Sequence, residues 1–544
     1  MNDVPGIGQY LLQRLHDHGV RHVFGVPGDY VLKLYEEISK SALEHIGTTR
    51  EDTAAFAADG YARVHGLGAL AVTYGVGALN VVNAIAGAHA ESSPVVVVSG
   101  GPGIRDRREE SLVHHRFGPF NFQREIFDRI TCAAAVLDDP AIAFRQIDRV
   151  LAAARHYRRP VYLELPRDLV DEAGYPLPAE KLAAAESDPA PLEEAVEETL
   201  ELLGAAKSPA VLAGVEVHRL DLQDDLLHFV NRSHIPVAAT LSGKSVIGER
   251  HAGYLGVYEG AMGPEPTRER IEGADILLLL GVALNDVDLG VYTANLDPER
   301  MVRASQGEVM IRHHRYPKVQ LRHFLRALIQ KVAPRAESFP PGIPGPSAPG
   351  FPENGRAMSV ARLIGRVNEA LTPDMIVICD TGDCLFAAVE LRVHERTEFL
   401  ASGFYTTMGF ALPAAVGVYA ARRDRRPLVL VGDGAFQMTG TEISTLARLG
   451  SNAIVIVFNN GGYSTERFIL DGPFNDIQPW SFHRIGELVG TVVGHFAETE
   501  DEFERALGTA LGTLDRPSLI EVKLPPFDPS PAMRRLAENL RARL

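Results

Sequence analysis

The sequence has few cysteines and no long apolar run. Its three cysteines, Cys132, Cys379 and Cys384, provide neither a CxxC metal pair nor a disulfide framework in a chain of 544 residues, which is typical of a reducing compartment. The longest apolar runs, around Pro94 to Val98 and Ile276 to Leu280, are far shorter than the ~18–20 residues that cross a bilayer. The first residues lack the basic and apolar segments of a signal peptide. We therefore expect a cytoplasmic protein that does not enter a membrane.

Basic residues are also fewer than acidic residues. Lys and Arg together number 54 and Asp and Glu number 70, so the formal net charge is −16. An acidic surface repels phosphate backbones and anionic lipids, which argues against nucleic-acid and membrane partners. The composition, 46% hydrophobic and 23% charged, is that of an ordinary globular protein, and the length corresponds to about three domains.

Two stretches rich in proline and glycine divide the chain, at residues 174–191 and 339–352. The predicted units are a first domain (1–180), a middle domain (190–338), a linker (339–356) and a third domain (357–544). Within each domain, short β-rich apolar runs without strict alternation are followed by longer helical patterns. Strands that are buried on both faces are typical of parallel sheets. The sequence therefore predicts an α/β fold with three doubly wound parallel-sheet domains.

The strongest motif places oxygen-bearing side chains after two consecutive strands. Gly-Asp-Gly, centred on Asp433, follows one apolar run, and Asn-Asn-Gly-Gly, which contains Asn460, follows the next. Each motif alone is also an ordinary turn. If the strands are neighbours in the sheet, Asp433 and Asn460 converge, and carboxylate and amide oxygens are ligands that Mg²⁺ prefers. Because the glycines let a diphosphate approach the backbone closely, the pair predicts a site for Mg²⁺ and a diphosphate.

This pair of motifs resembles the cofactor-binding motif of the thiamine diphosphate (ThDP) enzymes. The resemblance implies that the side chains of Asp433 and Asn460 and the backbone carbonyl of Gly462 bind Mg²⁺. It places Gly432 and Gly434 beside the cofactor. It also implies that the first domain binds the pyrimidine ring of ThDP and the third domain binds its pyrophosphate, with the middle domain between them along the chain.

The first domain carries the segments that resemble the family's pyrimidine site. Glu51 resembles a buried glutamate that, in this family, hydrogen-bonds the aminopyrimidine and promotes loss of the proton from the thiazolium carbon. Without the resemblance, Glu51 is an acid at a helix N-terminus, where the helix dipole favours it. Thr73 opens a segment that imitates a dinucleotide fingerprint, but Asn80 replaces the third glycine and no acidic residue follows about twenty positions on. The resemblance assigns Thr73 to the cofactor site.

Further residues match the group of pyruvate, indolepyruvate and phenylpyruvate decarboxylases. The matching residues are Asp29, His114, His115 and Glu466. In that group an acid, two histidines and a glutamate relay the proton that replaces CO₂, and interacting acids and imidazoles can hold a proton near pH 7. The resemblance therefore implies a carboxy-lyase that converts a 2-oxo acid non-oxidatively to an aldehyde and CO₂.

Two segments bear on the shape of the cofactor and on the substrate. The resemblance assigns Met408 to the apolar support that bends the cofactor and Thr406, where many relatives have glycine, to a backbone carbonyl contact. We expect Thr406 to be tolerated because only its backbone is used. Thr381, Leu385 and Thr465 are assigned to the substrate pocket, and Leu385 stands where pyruvate-restricted relatives have a large aromatic residue. A smaller side chain at this position leaves more space in the pocket, which predicts a longer or aromatic substrate, such as phenylpyruvate or indolepyruvate, in preference to pyruvate.

The resemblance also implies an assembly, and other functions stay open. In these enzymes the cofactor lies between the first domain of one subunit and the third domain of another. A homodimer is therefore the minimal active unit, and we expect a homotetramer. The alternatives are a carboligase of the acetolactate synthase type, which forms an acyloin, a non-catalytic homologue that binds nucleotides or proteins, and an NAD-dependent dehydrogenase. Whether the middle domain binds a ligand is also open.

Overall fold

The computed structural model describes residues 4–176, 185–335, 338–340, 342–352 and 355–543. The predicted end of the first domain at residue 180 lies outside the described residues, and so do parts of both predicted linkers. No helix in the described part of the chain is both long and apolar enough to span a bilayer.

The first domain is a six-stranded parallel sheet with helices on both faces. Its strands are β1 (His22–Gly25), β2 (Glu44–Gly47), β3 (Gly68–Val72), β4 (Val95–Gly101), β5 (Ala134–Val136) and β6 (Val161–Pro166), in the order β2-β1-β3-β4-β6-β5. Its helices are α1 (Ile7–Asp17), α2 (Leu32–Lys40), α3 (Glu51–His65), α4 (Val76–Asn80), α5 (Val82–Ala90), α6 (Ile104–Arg108), α7 (Phe122–Ile130) and α8 (Ala143–Tyr157). Along β3, Leu70 and Val72 pack into one apolar cluster and Ala69 and Ala71 into another, so both faces of the sheet are buried.

The middle domain has a seven-stranded sheet in the order β13-β12-β11-β10-β7-β8-β9. Its strands are β7 (Ala210–Ala213), β8 (Val237–Ala239), β9 (Tyr254–Val257), β10 (Leu277–Leu280), β11 (Met301–Ser305), β12 (Glu308–Ile311) and β13 (His314–Pro317). Its helices are α9 (Pro189–Ala205), α10 (Val215–Arg219), α11 (Gln223–Ser233), α12 (Glu265–Glu272), α13 (Leu321–Lys331) and a short 3₁₀ helix (Pro298–Arg300).

One edge of this middle sheet is antiparallel. Strands β11, β12 and β13 form a meander, whereas the strands from β11 to β9 pair in parallel. The link between β11 and β12 is Gln306-Gly307, with Gly307 at φ +94°, and such two-residue links favour a hairpin. An antiparallel edge on a parallel sheet is common in α/β folds, and the prediction of three α/β domains is confirmed.

The third domain repeats the architecture of the first, with a parallel sheet in the order β15-β14-β16-β17-β19-β18. Its strands are β14 (Met375–Cys379), β15 (Phe399–Ala401), β16 (Arg426–Gly432), β17 (Ile454–Asn459), β18 (Val493–Ala497) and β19 (Ser518–Lys523). Its helices are α14 (Val360–Ala370), α15 (Asp383–Ala388), α16 (Ala411–Ala421), α17 (Asp433–Thr439), α18 (Ile443–Arg448), α19 (Ser464–Ile469), α20 (Ile485–Val489), α21 (Glu500–Gly512) and α22 (Pro531–Arg543). Short 3₁₀ helices cover Gly440–Glu442, Pro473–Asn475 and Phe482–Arg484.

Helices α3 and α16 join the first and third domains. Both helices are buried over most of their surface, and one apolar cluster extends across them. A Cβ at Gly60 of α3 would collide with the backbone of Ala414, and a Cβ at Gly417 of α16 would collide with the carbonyl of Ala57. These two glycines therefore let the helices approach closely and fix the orientation of the domains.

Candidate active site

The first and third sheets have the same strand order. In both sheets, predicted site residues follow the two neighbouring strands between which that order reverses. In doubly wound sheets, ligands bind beyond the carboxyl ends of the strands, at the point where the strand order reverses. In the first sheet this point lies between β1 and β3, which precede Asp29 and Thr73. In the third sheet it lies between β14 and β16, which precede Thr381 and Asp433.

Asp433 lies at the junction of the two motif strands. Strands β16 and β17 are parallel neighbours, and Asp433, the first residue of α17, is 2% exposed. Its carboxylate accepts hydrogen bonds from the backbone N–H groups of Gly434 (2.7 Å), Gly461 (2.7 Å) and Gly462 (3.1 Å). Burial raises the pKa of Asp433 to about 6, although these three donors oppose the rise.

Asn460 and Gly462 complete the oxygen donors around Asp433. Asn460 follows β17, and its amide nitrogen donates to Ser464 Oγ at 3.0 Å, which leaves the amide oxygen to accept or coordinate. Gly462 has φ +143°, and a Cβ there would collide with the carbonyl of Asn475, so only glycine fits. A carboxylate, an amide oxygen and a backbone carbonyl are hard donors, and the set fits the Mg²⁺ that the resemblance implies.

These residues line a cavity of about 440 Å³, which we call the third-domain cavity. The predicted residues on its wall are Thr381, Thr406, Met408, Gly432, Asp433, Gly434, Asn460, Gly462, Thr465 and Glu466. Phe386, Phe458 and Tyr463 also line it. Sequence reasoning did not assign these three aromatic residues, although each lies within two positions of a residue or motif that it did assign.

Leu385, which the resemblance assigns to the wall of the substrate pocket, is not among the residues that line the third-domain cavity. Leu385 is fully buried in the core of the third domain and does not line the cavity, whereas Cys384 and Phe386 on either side of it do. The reason is the helix α15, in which successive side chains point about 100° apart. Phe386 provides apolar surface here and also packs against the small apolar cluster of Met262, Ala532 and Leu536.

Thr406 carries a conformational cost that its sequence position does not reveal. Its φ is +51°, in the left-handed region that a β-branched residue rarely adopts. The cost of this conformation is about 1–2 kcal/mol for a residue other than glycine. Threonine is therefore accommodated here at a conformational cost, because the backbone conformation itself favours glycine. Such strain is common at functional sites, and Thr406 lines the third-domain cavity.

In the first domain, Glu51 and Thr73 both lie against Gly77. A Cβ at Gly77 would lie 3.1 Å from Thr73 Cγ2 and 3.6 Å from Glu51 Oε1. Glu51 is the first residue of α3, and its Oε2 accepts a hydrogen bond of 2.8 Å from Asn80 Nδ2. Sequence reasoning missed this contact, and the only available signal was that Asn80 replaces a glycine in the dinucleotide-like segment.

Asp29, His114 and His115 lie together at the surface of the first domain, and we call them the histidine cluster. His114 Nε2 lies 2.8 Å from Asp29 Oδ2, and each of the three residues has a polar atom within 4.8 Å of the others. Tyr30 stacks on the His114 ring, and its Oη lies 3.3 Å from Nδ1. His115 has φ +66° and packs against Gly75. A strained backbone therefore holds the second histidine against the segment that follows β3.

Two assigned residues carry buried hydroxyls that lack partners. Within the described residues, Oγ1 of Thr73 and Oγ1 of Thr465 have no hydrogen bond. An unpaired buried polar group costs about 1–3 kcal/mol. Thr465 lines the third-domain cavity, and Thr73 lies next to Gly77, which is also next to Glu51. A polar ligand at both places would satisfy the hydroxyls, so these residues fit the cofactor that the resemblance implies.

Asp380 is a buried acid that sequence reasoning left unassigned. It follows β14, is fully buried, and accepts hydrogen bonds from the N–H groups of Thr381 (2.9 Å), Gly409 (2.9 Å) and Ala411 (2.8 Å). Burial raises the pKa of its carboxyl to about 6. Asp380 thereby ties the loop that carries Met408 to the end of β14. The available signal was an acid directly after an apolar run.

Three family profiles match the chain. Their descriptions are "Thiamine pyrophosphate enzyme, N-terminal TPP binding domain" for residues 6–124, "Thiamine pyrophosphate enzyme, central domain" for residues 196–332, and "Thiamine pyrophosphate enzyme, C-terminal TPP binding domain" for residues 380–522. The first and last of these segments contain all the residues assigned above to the cofactor, the metal and the proton relay.

Curated relatives are similar along nearly the whole chain. An indole-3-pyruvate decarboxylase of Azospirillum brasilense is 35% identical over 538 residues, which cover 95% of this chain and 95% of the relative. An alpha-keto-acid decarboxylase of Mycobacterium ulcerans is 34% identical over an alignment of 548 residues, which covers 98% of this chain and 96% of the relative. An alpha-keto-acid decarboxylase of Mycobacterium tuberculosis (strain H37Rv) is 35% identical over 533 residues, which cover 95% of this chain and 94% of the relative. The chain therefore belongs to the thiamine pyrophosphate enzymes, in their group of 2-oxo acid decarboxylases.

Proposed function

We propose that this protein is a ThDP- and Mg²⁺-dependent carboxy-lyase that converts a 2-oxo acid to an aldehyde and CO₂ without oxidation. The observation that carries the proposal is the convergence of Asp433, Asn460 and Gly462 in the third-domain cavity, at the ends of two neighbouring strands. The histidine cluster adds the proton-handling groups that an aldehyde product requires.

The residues divide between holding the cofactor and moving protons. Asp433, Asn460 and Gly462 would hold Mg²⁺ and, through it, the diphosphate. Met408 on the cavity wall would support the rings. When bound, ThDP supplies a nucleophilic carbon and an electron sink. Glu51, whose carboxylate is oriented by Asn80, would hydrogen-bond the pyrimidine and exchange a proton with it.

The proton that replaces CO₂ would come from the histidine cluster and Glu466. Imidazoles change their charge near pH 7, and the short contact between His114 and Asp29 couples a histidine to a carboxylate. Glu466 lines the third-domain cavity and is exposed, so it can meet groups contributed from outside this domain. These residues would give the proton to the carbon from which CO₂ has left.

We propose that the active unit is a homodimer and that the full assembly is a homotetramer. All residues that line the third-domain cavity lie within 381–466, whereas Glu51 and the histidine cluster belong to the first domain. A site that needs both groups is complete when a second copy contributes its first domain. Exposed apolar side chains support this arrangement: Leu112 is 92% exposed, Ile469 76% and Leu470 66%, and such surface favours an interface.

We propose an aromatic or longer-chain 2-oxo acid as the preferred substrate. Because Leu385 is buried in the core, the preference no longer rests on that residue. Its support is the aromatic wall formed by Phe386, Phe458 and Tyr463, together with the substrate in the name of the Azospirillum brasilense relative.

We also propose a cytoplasmic location. All three cysteines are free, which supports the cytoplasm as the location.

The experiment is product analysis with protein stripped of metal and cofactor. The protein is incubated with pyruvate, branched 2-oxo acids, phenylpyruvate or indolepyruvate, and ThDP and Mg²⁺ are added together or singly. We expect an aldehyde only when both are present, with the aromatic acids converted fastest. An acyloin as the main product would move the assignment to a carboligase, and failure to bind ThDP would favour a non-catalytic homologue.

A further inference from the structure

Glu442 is a fully buried acid whose hydrogen bonds cross from the third domain to the first. It ends the 3₁₀ helix that follows α17 and is 0% exposed. Its Oε1 accepts from the Thr49 N–H at 2.8 Å, from the Thr49 hydroxyl and from the Thr53 hydroxyl at 2.7 Å. Its Oε2 accepts from the Thr445 hydroxyl at 2.7 Å. Four donors therefore surround one carboxylate, and three of them belong to the first domain.

The first-domain donors flank Glu51. Thr49 precedes it in the link between β2 and α3, and Thr53 lies in the first turn of α3. The same link is held at two more points, because Thr441 Oγ1 lies 3.0 Å from Thr49 Oγ1 and Arg448 donates to the carbonyl of Gly47. The start of α3 is thus fixed by contacts with residues 441–448 as well as by its own helix.

We infer that Glu442 is a positioning residue for Glu51. Within the first domain, the Glu51 side chain is oriented by Asn80 at 2.8 Å, but the backbone that carries Glu51 is anchored by the Glu442 carboxylate. A burial this complete is costly for a carboxylate unless its donors stay in place, so the carboxylate holds Thr49 and Thr53 at fixed positions. This inference rests on the proposed function of Glu51.

The test compares Glu442→Ala with Glu442→Gln. Alanine removes the acceptor for all four donors. Glutamine keeps an oxygen for Thr49 and Thr53, and its amide can donate to the Thr445 hydroxyl, which is able to accept. Thr53→Val is the second variant, because it removes one donor to the acid without changing the acid itself, together with the 2.8 Å contact of the same hydroxyl with the Arg50 carbonyl. Glu500→Ala is the matched control, since Glu500 is a fully buried acid of the third domain that is bound by Arg362 instead.

The first measurement is hydrogen exchange of the peptide that covers residues 47–56, in protein without cofactor. Loss of buried hydrogen bonds predicts that exchange there becomes roughly tenfold faster or more in Glu442→Ala. We expect near-normal exchange in Glu442→Gln, a smaller increase in Thr53→Val and no change in this peptide for Glu500→Ala. Unchanged exchange in both Glu442→Ala and Thr53→Val would overturn the inference.

The second measurement is steady-state kinetics with ThDP and Mg²⁺. A misplaced catalytic group lowers the rate by roughly 10- to 100-fold, so we expect such a fall in kcat for Glu442→Ala with little change in KM, and rescue in Glu442→Gln. A kcat equal to that of the wild type would overturn the positioning role. If the wild type itself shows no ThDP-dependent turnover, the proposed function fails, and the exchange comparison still decides whether Glu442 anchors the segment.

Discussion

The stability of this protein should decrease as the pH rises from 5 to 8 because of Glu259, which follows β9 in the middle domain. Glu259 is 1% exposed, and its Oε1 has no hydrogen-bond partner among the described residues. Burial, with smaller contributions from nearby Asp288 and Glu390, raises its pKa, Arg535 and Lys244 lower it, and the resulting pKa is about 8. The folded protein therefore holds a proton on Glu259 that the unfolded chain, with a carboxyl pKa of about 4.3, releases.

The sign and size of the effect follow from this difference. Between about pH 4.3 and pH 8 the folded state binds more protons than the unfolded state, so stability decreases as pH rises. One pKa unit corresponds to about 1.4 kcal/mol, and the part of the shift between pH 5 and pH 8 amounts to about 3 kcal/mol. Glu259→Gln, which cannot ionise, should lose this dependence.

The assay is urea-induced unfolding of both proteins at pH 5 and pH 8, at one fixed protein concentration. The measured quantity is the free energy of unfolding of Glu259→Gln minus that of the wild type. This difference should be about 3 kcal/mol more positive at pH 8 than at pH 5. Glu500→Gln is the control, because Glu500 is fully buried but paired with Arg362, and it should lose stability at both pH values. A difference between Glu259→Gln and the wild type that is the same at both pH values would refute the reasoning.

Three further predictions concern helix packing, backbone strain and the shared site. Gly417→Ala should lower the unfolding midpoint by an amount equivalent to roughly 1–3 kcal/mol, because the added methyl overpacks the contact with Ala57; an unchanged midpoint would contradict this. Thr406→Gly should not destabilise the protein in thermal unfolding, since strain of about 1–2 kcal/mol is relieved, and a clear loss of stability would argue against it. Mixing inactive Glu51→Gln and Asp433→Ala chains after dissociation should restore part of the turnover, because one site of the mixed dimer is intact; no recovery would argue against a shared site.

The parts of the site that follow strands were predictable from the sequence. Asp433 and Asn460 come directly after two apolar runs, and parallel neighbours bring their carboxyl ends to one edge of the sheet. The same logic explains why Asp29 and Thr73 fall at the equivalent point of the first sheet. Strand ends are therefore reliable guides because their geometry depends on local sequence and on one pairing.

Other features depend on geometry that a linear pattern does not contain. The phase of the short helix α15 decides that Phe386, and not Leu385, meets the cavity. The positive φ of Thr406 arises from the loop around it. Glu442 contacts Thr49 across a long stretch of chain, and no periodicity or motif links two such residues. These features follow from tertiary packing and became visible only in the folded chain.

The central claim is that Glu51 serves the chemistry of a ThDP-dependent decarboxylase. Its most direct test is the rate of CO₂ release from the best 2-oxo acid, with ThDP and Mg²⁺ present, for the wild type and Glu51→Gln, alongside calorimetric titration of both with ThDP and Mg²⁺. We predict that turnover falls by roughly 10²-fold or more in the variant, as for loss of a proton-transfer group, while Mg²⁺-dependent ThDP binding persists. Equal rates of CO₂ release in the two proteins would contradict the account.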